Sequence, residues 1–316
     1  MLGTIGADAM DSVTRVQLAL SGKQPDRVPW GELTVPLGLV ERFANASRLK
    51  EAPVAEQVEA KAEFLHRLGM DIVVVEAYTW QDGYARFRPE AVEEVRLWRQ
   101  TGEFYVLGLI NGGLGQALRT YGLEEVLKII DLAAEEVARI VATMMEENLV
   151  MARELITAGA QGIIIGDDFA YSWGPFLPPY LLQQVSFPYL KKAIAELKQY
   201  HLPVIFHACG NISGVLDELV TFGFDTLHSL QPTAGMKIEE VRKKYGAKIS
   251  LWGNLDIELL YQKDEEGLEK AVRELMAEVA AGGGYIFGTS SGLDEGVDPE
   301  ALTYLAKLLQ KYGSYE

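Results

Sequence analysis

Short apolar or β-branched runs alternate with longer amphipathic stretches along most of the chain. The short runs are Val28–Leu33, Asp71–Tyr78, Phe104–Ile110, Gly162–Asp168, Pro203–His207, Phe224–Leu230, Lys248–Gly253 and Gly284–Gly288. Runs such as DIVVVEAY and GIIIGDD are apolar almost without interruption, the pattern of a parallel strand covered on both faces. The stretch Ala52–Leu68 carries leucine, valine and phenylalanine at helical spacing and stops at Gly69. Helical spacing recurs over Pro179–Tyr200, Ile212–Phe222, Ile238–Tyr245, Asp256–Ala281 and Pro299–Tyr312, and Gly122–Gly159 is long enough for two helices. A short N-terminal helix is capped by Asp11 or Ser12 and followed by Gly22. Eight alternations predict an α/β fold, a single (β/α)8 TIM barrel domain over residues 1–316 with an N-terminal helix. A doubly wound open sheet is the alternative. The segment 83–102 breaks the rhythm and reads as a hairpin insertion.

In such barrels the chemistry sits at the C-terminal ends of the strands, in the loops that follow them. Those ends carry Glu32; Glu76, Tyr78 and Trp80; Asn111; Asp167 and Asp168; His207, Cys209 and Asn211; His228 and Gln231; Asn254 and Asp256; Thr289 and Ser290. Two of the four histidines and the single cysteine fall in this ring, which marks it as the functional face. His207 and Cys209 are two apart on an extended segment, so imidazole and thiolate face the same side and can share one ion. The competing reading is a buried cysteine beside a hydrogen-bonded histidine. Adjacent Asp167 and Asp168 point opposite ways, so one of them enters the mouth as a metal ligand or general base, or else caps a helix. Glu76 ends an apolar strand, where a carboxylate needs either a partner or a function. Tyr78, Trp80, Tyr171 and Trp173 sit in the loops and would wall a cavity for a flat or apolar group, or simply plug the top of the barrel.

Composition narrows the choice. The 48% hydrophobic content supports a sizeable core, and 29 basic against 45 acidic residues leave a formal charge of −16. Such a field repels nucleic acid and anionic membranes. One cysteine cannot form an internal disulfide, and the start MLGTIGADAMDSVTRV has no apolar signal core, so a cytoplasmic location is expected. Near the strand ends only Arg86 and Arg88 are basic, which argues against a substrate bearing many carboxylates. Gly282-Gly283-Gly284 precedes a strand rather than opening a helix, and Asn111-Gly-Gly-Leu-Gly115 lacks both nucleotide-loop spacings.

The run GDDFAYSWGPFLPPYLLQQVSFPYLKKAIAELKQYHLPVIFHACGN, then GFDTLHSLQPTAGMKIEEVRKKYGAKISLWGNLD, resembles the uroporphyrinogen decarboxylase (URO-D) superfamily. DRVPW near the start and VDPEAL near the end also fit. The resemblance implies a (β/α)8 barrel. The superfamily divides into porphyrinogen decarboxylases and methyltransferases that work with corrinoid proteins. The decarboxylases carry an arginine-bearing MRQAGRY-like stretch after the first strand; here the chain reads GELTVPLGLVERF, with no arginine before Arg42. HACGN is instead similar to the zinc motif of methylcobalamin:thiol methyltransferases, which implies His207 and Cys209 as metal ligands. The further cysteine expected after the last strand is absent from Gly288-Thr289-Ser290-Ser291-Gly292. Three outcomes stay open: Asp168 or Glu76 substitutes, the site is weak, or no metal binds.

The expectation is therefore a zinc-assisted methyltransferase served by a separate corrinoid protein and working on a small methyl donor or acceptor, as a possible homodimer. Asp168 and His228 would be catalytic, with Glu76, Tyr78, Trp80, Tyr171, Trp173 and Asn254 binding substrate. The alternatives are a metal-free carboxy-lyase on a less acidic substrate, with Asp168 or His228 donating the proton, and a non-catalytic ligand-binding barrel.

Overall fold

The computed structural model describes residues 10–44 and 47–315. The first nine residues of the apolar-poor start lie outside them. Seven of the eight short runs pair as strands of one curled parallel sheet: β1 Ile72–Glu76, β2 Tyr105–Asn111, β3 Gly162–Gly166, β4 Val204–Ala208, β5 Thr226–Ser229, β6 Ser250–Trp252 and β7 Tyr285–Ile286. Their order in the sheet is their order in the chain, so each strand reaches the next through a crossover on the outer face. Alternation decides what each face buries. Leu107 and Leu109 of β2, Ile164 of β3 and Ile205 of β4 turn to an inner cluster with Trp252 and Ile286; Val106, Ile110, Ile163, Ile165 and Phe206 turn outward to the helices. The helix Ser12–Leu20, capped by Asp11 through the amide of Thr14, adds Val16, Ala19 and Leu20 to the inner cluster.

The first run departs from the eight-strand expectation. Pro29 has no amide proton, so this segment forms an isolated parallel bridge, Trp30 with Phe287, rather than a ladder. It nevertheless bonds to both edge strands. The Asp71 amide donates to the Trp30 carbonyl at 2.7 Å, and the Gly31 amide donates to the Phe287 carbonyl at 3.0 Å.

The irregular segment also differs from expectation. The hairpin starts earlier, pairing Tyr78–Gln81 with Tyr84–Phe87 through Asp82-Gly83. Both turn residues have positive φ, as a type I′ turn demands. The rest of that segment is the helix Glu90–Thr101, which buries Ala91, Val95 and Trp98 as the crossover from β1 to β2. The span Leu123–Ala158 is helical with a break at Ala133, consistent with two helices. No helix among the described residues is long and apolar enough to cross a membrane.

Candidate active site

The alternation that buries the strands also aims their last residues. Counting in steps of two from inward Ile72, Leu109, Ile164 and Ile205 brings Glu76, Asn111, Asp168 and His207 to the mouth of the inner face. There they line one cavity of about 340 Å³ with Tyr78, Trp80, Arg119 and Phe176. Asp167, one step out of phase, turns away. Its Oδ1 accepts from the Gly115 amide at 2.5 Å in the first turn of the helix Gly113–Tyr121. The backbone packs so closely there that a Cβ on Gly112 would lie 2.2 Å from Asp167.

Asp168, His207 and Cys209 converge. One ligand atom from each lies within 4.8 Å of the others. His207 Nε2 is 3.5 Å from Cys209 Sγ and 3.6 Å from Asp168 Oδ1. The Cys209 amide donates to Asp168 Oδ1 at 2.7 Å, which fixes the loop. Gly210 makes the turn possible: its φ is +85°, and a Cβ would sit 2.6 Å from the Ala170 carbonyl. Behind His207 lies His228, its register partner on β5, with Nδ1 to Nδ1 at 2.6 Å. One ring therefore donates and the other accepts, so His207 presents Nε2 alone to the cavity.

The electrostatics follow from burial. Burial pushes the Cys209 thiol up to about 12, and the Asp168 carboxylate adds to the push. Burial also lowers His207, against the pull of Asp168, and lowers His228 further because a charged neighbour would repel it. Both imidazoles are therefore neutral at physiological pH, the state in which a ring nitrogen ligates metal. Burial raises Glu76, opposed first by Arg88, and raises the Tyr78 hydroxyl, so that phenol stays protonated.

The set of residues anticipated for substrate contact divides. Glu76, Tyr78 and Trp80 line the cavity. Tyr171 stacks on the cavity residue Phe176, with centroids 5.4 Å apart, and does not line the cavity itself. Trp173 is 85% exposed and points to solvent. Asn254 is buried and donates to the Leu230 carbonyl at 2.6 Å, bordering a different depression. His228 has no exposed surface and reaches the cavity only through His207. Where the resemblance expects the third ligand, a further cysteine, Thr289 instead donates to the buried Glu32 at 2.5 Å.

Arg119 was not anticipated. It lies on a helix rather than in a strand-end loop, and the amphipathic pattern there signals only a solvated face. Its guanidinium sits 4.0 Å above the Trp80 ring, at the cavity. Arg42, the first arginine after the opening segment, is on the helix Leu37–Ala44 and donates to the Val297 carbonyl at 2.6 Å, away from the cavity.

Comparison with known proteins fits this architecture. The uroporphyrinogen decarboxylase of Thioalkalivibrio sulfidiphilus (strain HL-EbGR7) is 30% identical over 162 residues, which cover 50% of this chain and 44% of that protein. The uroporphyrinogen decarboxylase of Pseudomonas savastanoi pv. phaseolicola (strain 1448A / Race 6) is 34% identical over 149 residues, covering 46% of this chain and 39% of that protein. The chain thus matches less than half the length of either relative. A methyltransferase from Methanosarcina mazei shares the fold, with a TM-score of 0.78 over 96% of this chain and 99% of that one, at 16% identity. The family model described as Uroporphyrinogen decarboxylase (URO-D) matches residues 69–312, and the chain belongs to that family.

Proposed function

We propose that the protein is a methyltransferase that works with a corrinoid protein, using zinc held by Asp168, His207 and Cys209. The convergence of these three side chains at the cavity carries the reading. Their spacing fits the ion. A tetrahedral centre with bonds of about 2.0–2.3 Å has ligand-to-ligand edges of about 3.3–3.7 Å, against 3.5 Å and 3.6 Å between these donors. The chemistry of the set fits as well: burial and the neighbouring carboxylate raise the Cys209 thiol's cost of ionisation, and a divalent cation at this point reverses that. Asp168 takes the place of the cysteine missing after β7.

Zinc at this position supplies Lewis-acid chemistry that lowers the pKa of a bound thiol or of the leaving group of a methoxy- or amine-type methyl donor. The chain's own residues do the rest. His228 holds the His207 ring so that Nε2 faces the ion. The Cys209 amide orients Asp168. Tyr78, Trp80 and Phe176 form walls that admit a flat or apolar group and exclude water. The corrinoid belongs to a partner protein. In the same reading the segment around Trp30, bonded to both edge strands, completes an eight-membered (β/α)8 barrel, and the enzyme acts in the cytoplasm as a homodimer.

The test is bound metal per chain in protein purified without a histidine tag, beside Cys209→Ser, His207→Ala and Asp168→Ala. About one zinc in the parent, lost in all three variants with circular dichroism unchanged, is the expected result. No metal in the parent after zinc supplementation overturns it. A second reading, a carboxy-lyase on a less acidic substrate, draws on the decarboxylases among the relatives. The cavity speaks against the octacarboxylate porphyrinogen, since Glu76 and Asp168 face a single arginine. Tight binding of an acidic tetrapyrrole by metal-free protein would favour that second reading.

A further inference from the structure

Deepening the proposed function, we infer that the cavity takes a small organic monoanion, its acid group held by Arg119 and Asn111 and its body against Trp80 and Phe176. The inference rests on that reading only in treating this cavity as the substrate site.

The argument is an accounting of hydrogen bonds. Nearly every buried polar group in a folded chain has a partner, so one that lacks a partner beside a cavity points to what fills the cavity. Asn111 is 6% exposed, ends β2 on the inward phase, and has an Nδ2 with no acceptor among the described residues. Arg119 lines the same cavity. It is solvent-exposed at the cavity's edge; among the described residues it makes no ion pair and donates no hydrogen bond, and its guanidinium stacks on the Trp80 face. A guanidinium laid over an indole loses freedom without losing its donors, because stacking leaves the in-plane N–H groups free. An orphaned amide NH2 and an unspent guanidinium in one cavity match a carboxylate or another singly charged acid group.

Charge limits the number of acid groups. Glu76 and Asp168 line the same cavity, and among the described residues Arg119 is its one guanidinium. With the proposed zinc balanced by Asp168 and the Cys209 thiolate, a first negative charge finds Arg119, while a second meets the Glu76 carboxyl group. The remaining wall, with Tyr78, Trp80 and Phe176, is aromatic.

The experiment is calorimetric titration of the zinc-supplemented chain with benzoate, its neutral analogue benzamide, and the dianion phthalate. Benzoate should bind about tenfold or more tightly than benzamide, the ratio expected of a charge-assisted hydrogen bond, and phthalate more weakly than benzoate. Arg119→Gln should erase the preference for benzoate, Arg119→Lys restore part of it, and Asn111→Ala weaken benzoate with metal content and melting temperature unchanged. Equal binding of benzoate and benzamide overturns the inference, as does an undiminished preference in Arg119→Gln or no binding of any probe at millimolar concentration. A benzoate signal that vanishes in His207→Ala and persists in Arg119→Gln also overturns it, since the acid then sits on the metal. A parent without metal that still prefers benzoate through Arg119 leaves this inference standing while the methyltransferase reading falls.

Discussion

The two ends of the sheet treat buried carboxylates in opposite ways. At the N-terminal end, Asp71 is fully buried and fully partnered: it accepts from Ser12 Oγ at 2.8 Å, Arg15 Nη1 at 2.7 Å, Arg27 at 2.8 and 2.9 Å, and the Trp30 amide at 2.9 Å. At the C-terminal end, Asp167 is equally buried yet has one amide donor and an Oδ2 with none among the described residues. Glu76 reaches the cavity with no hydrogen bond to its carboxyl group among the described residues. Side chains of one chemical type thus lock the fold at one end, while at the other only Glu32, held by Trp30 and Thr289, is fully partnered and Asp167 and Glu76 stay unspent. Parallel sheets bind ligands outside the carboxyl ends of their strands, and the unspent groups lie on that side.

Removing the lock should give the largest effect. Asp71→Ala leaves Arg15, 4% exposed, without its most buried acceptor, and stability measured by urea unfolding should fall by about 3–5 kcal/mol. A loss below about 1 kcal/mol would mean that Asp26 alone suffices for Arg15.

Next comes the pH response of the other end. Burial raises Asp167 to about 7, against the pull of the Gly115 amide, and raises Glu32 to about 7, against donors from Thr289 and Trp30. The unfolded chain releases these protons near pH 4, so the folded state binds more protons between there and pH 7. Stability from this source is therefore full below about pH 4 and lost as pH rises through 7, by at most about 1.4 kcal/mol per unit for each group. Unfolding measured from pH 4 to 8 should show a shallower decline in Asp167→Asn, and shallower still with Glu32→Gln added. An unchanged slope would mean that these carboxyls ionise freely.

The smallest effect belongs to Trp173, 85% exposed in the turn of a second small hairpin that pairs Ala170-Tyr171 with Gly174-Pro175 beyond β3. Trp173→Ala should leave stability within about 0.5 kcal/mol and leave benzoate binding unchanged. A clear loss of ligand affinity would bring the hairpin into the site and blur the contrast between spent and unspent groups.

Much of this was legible in the order of residues. Short, nearly continuous apolar runs place seven of the strands, because a strand buried on both faces has little room for polar residues. The same phase count brings Glu76, Asp168 and His207 to one mouth and sets Asp167 apart, since alternation is a property of the backbone. The spacing of His207 and Cys209 places both near one point for the same reason. Other features depend on which distant segments meet. The Pro29 segment bridges both sheet edges because the sheet curls, which no local pattern encodes. Asp168 completes the triad because β3 lies beside β4, and His228 backs His207 because their strands pair in that register. Arg119 reaches the cavity's edge from a helix whose sequence looks like any solvated face; only the hairpin carrying Trp80, stacked against the guanidinium, brings that charge to the site. Backbone geometry and hydrophobic period act within a few residues, so the sequence alone carries them. Partnership between charges, donors and cavities acts across crossovers of tens of residues, and the tertiary structure decides it.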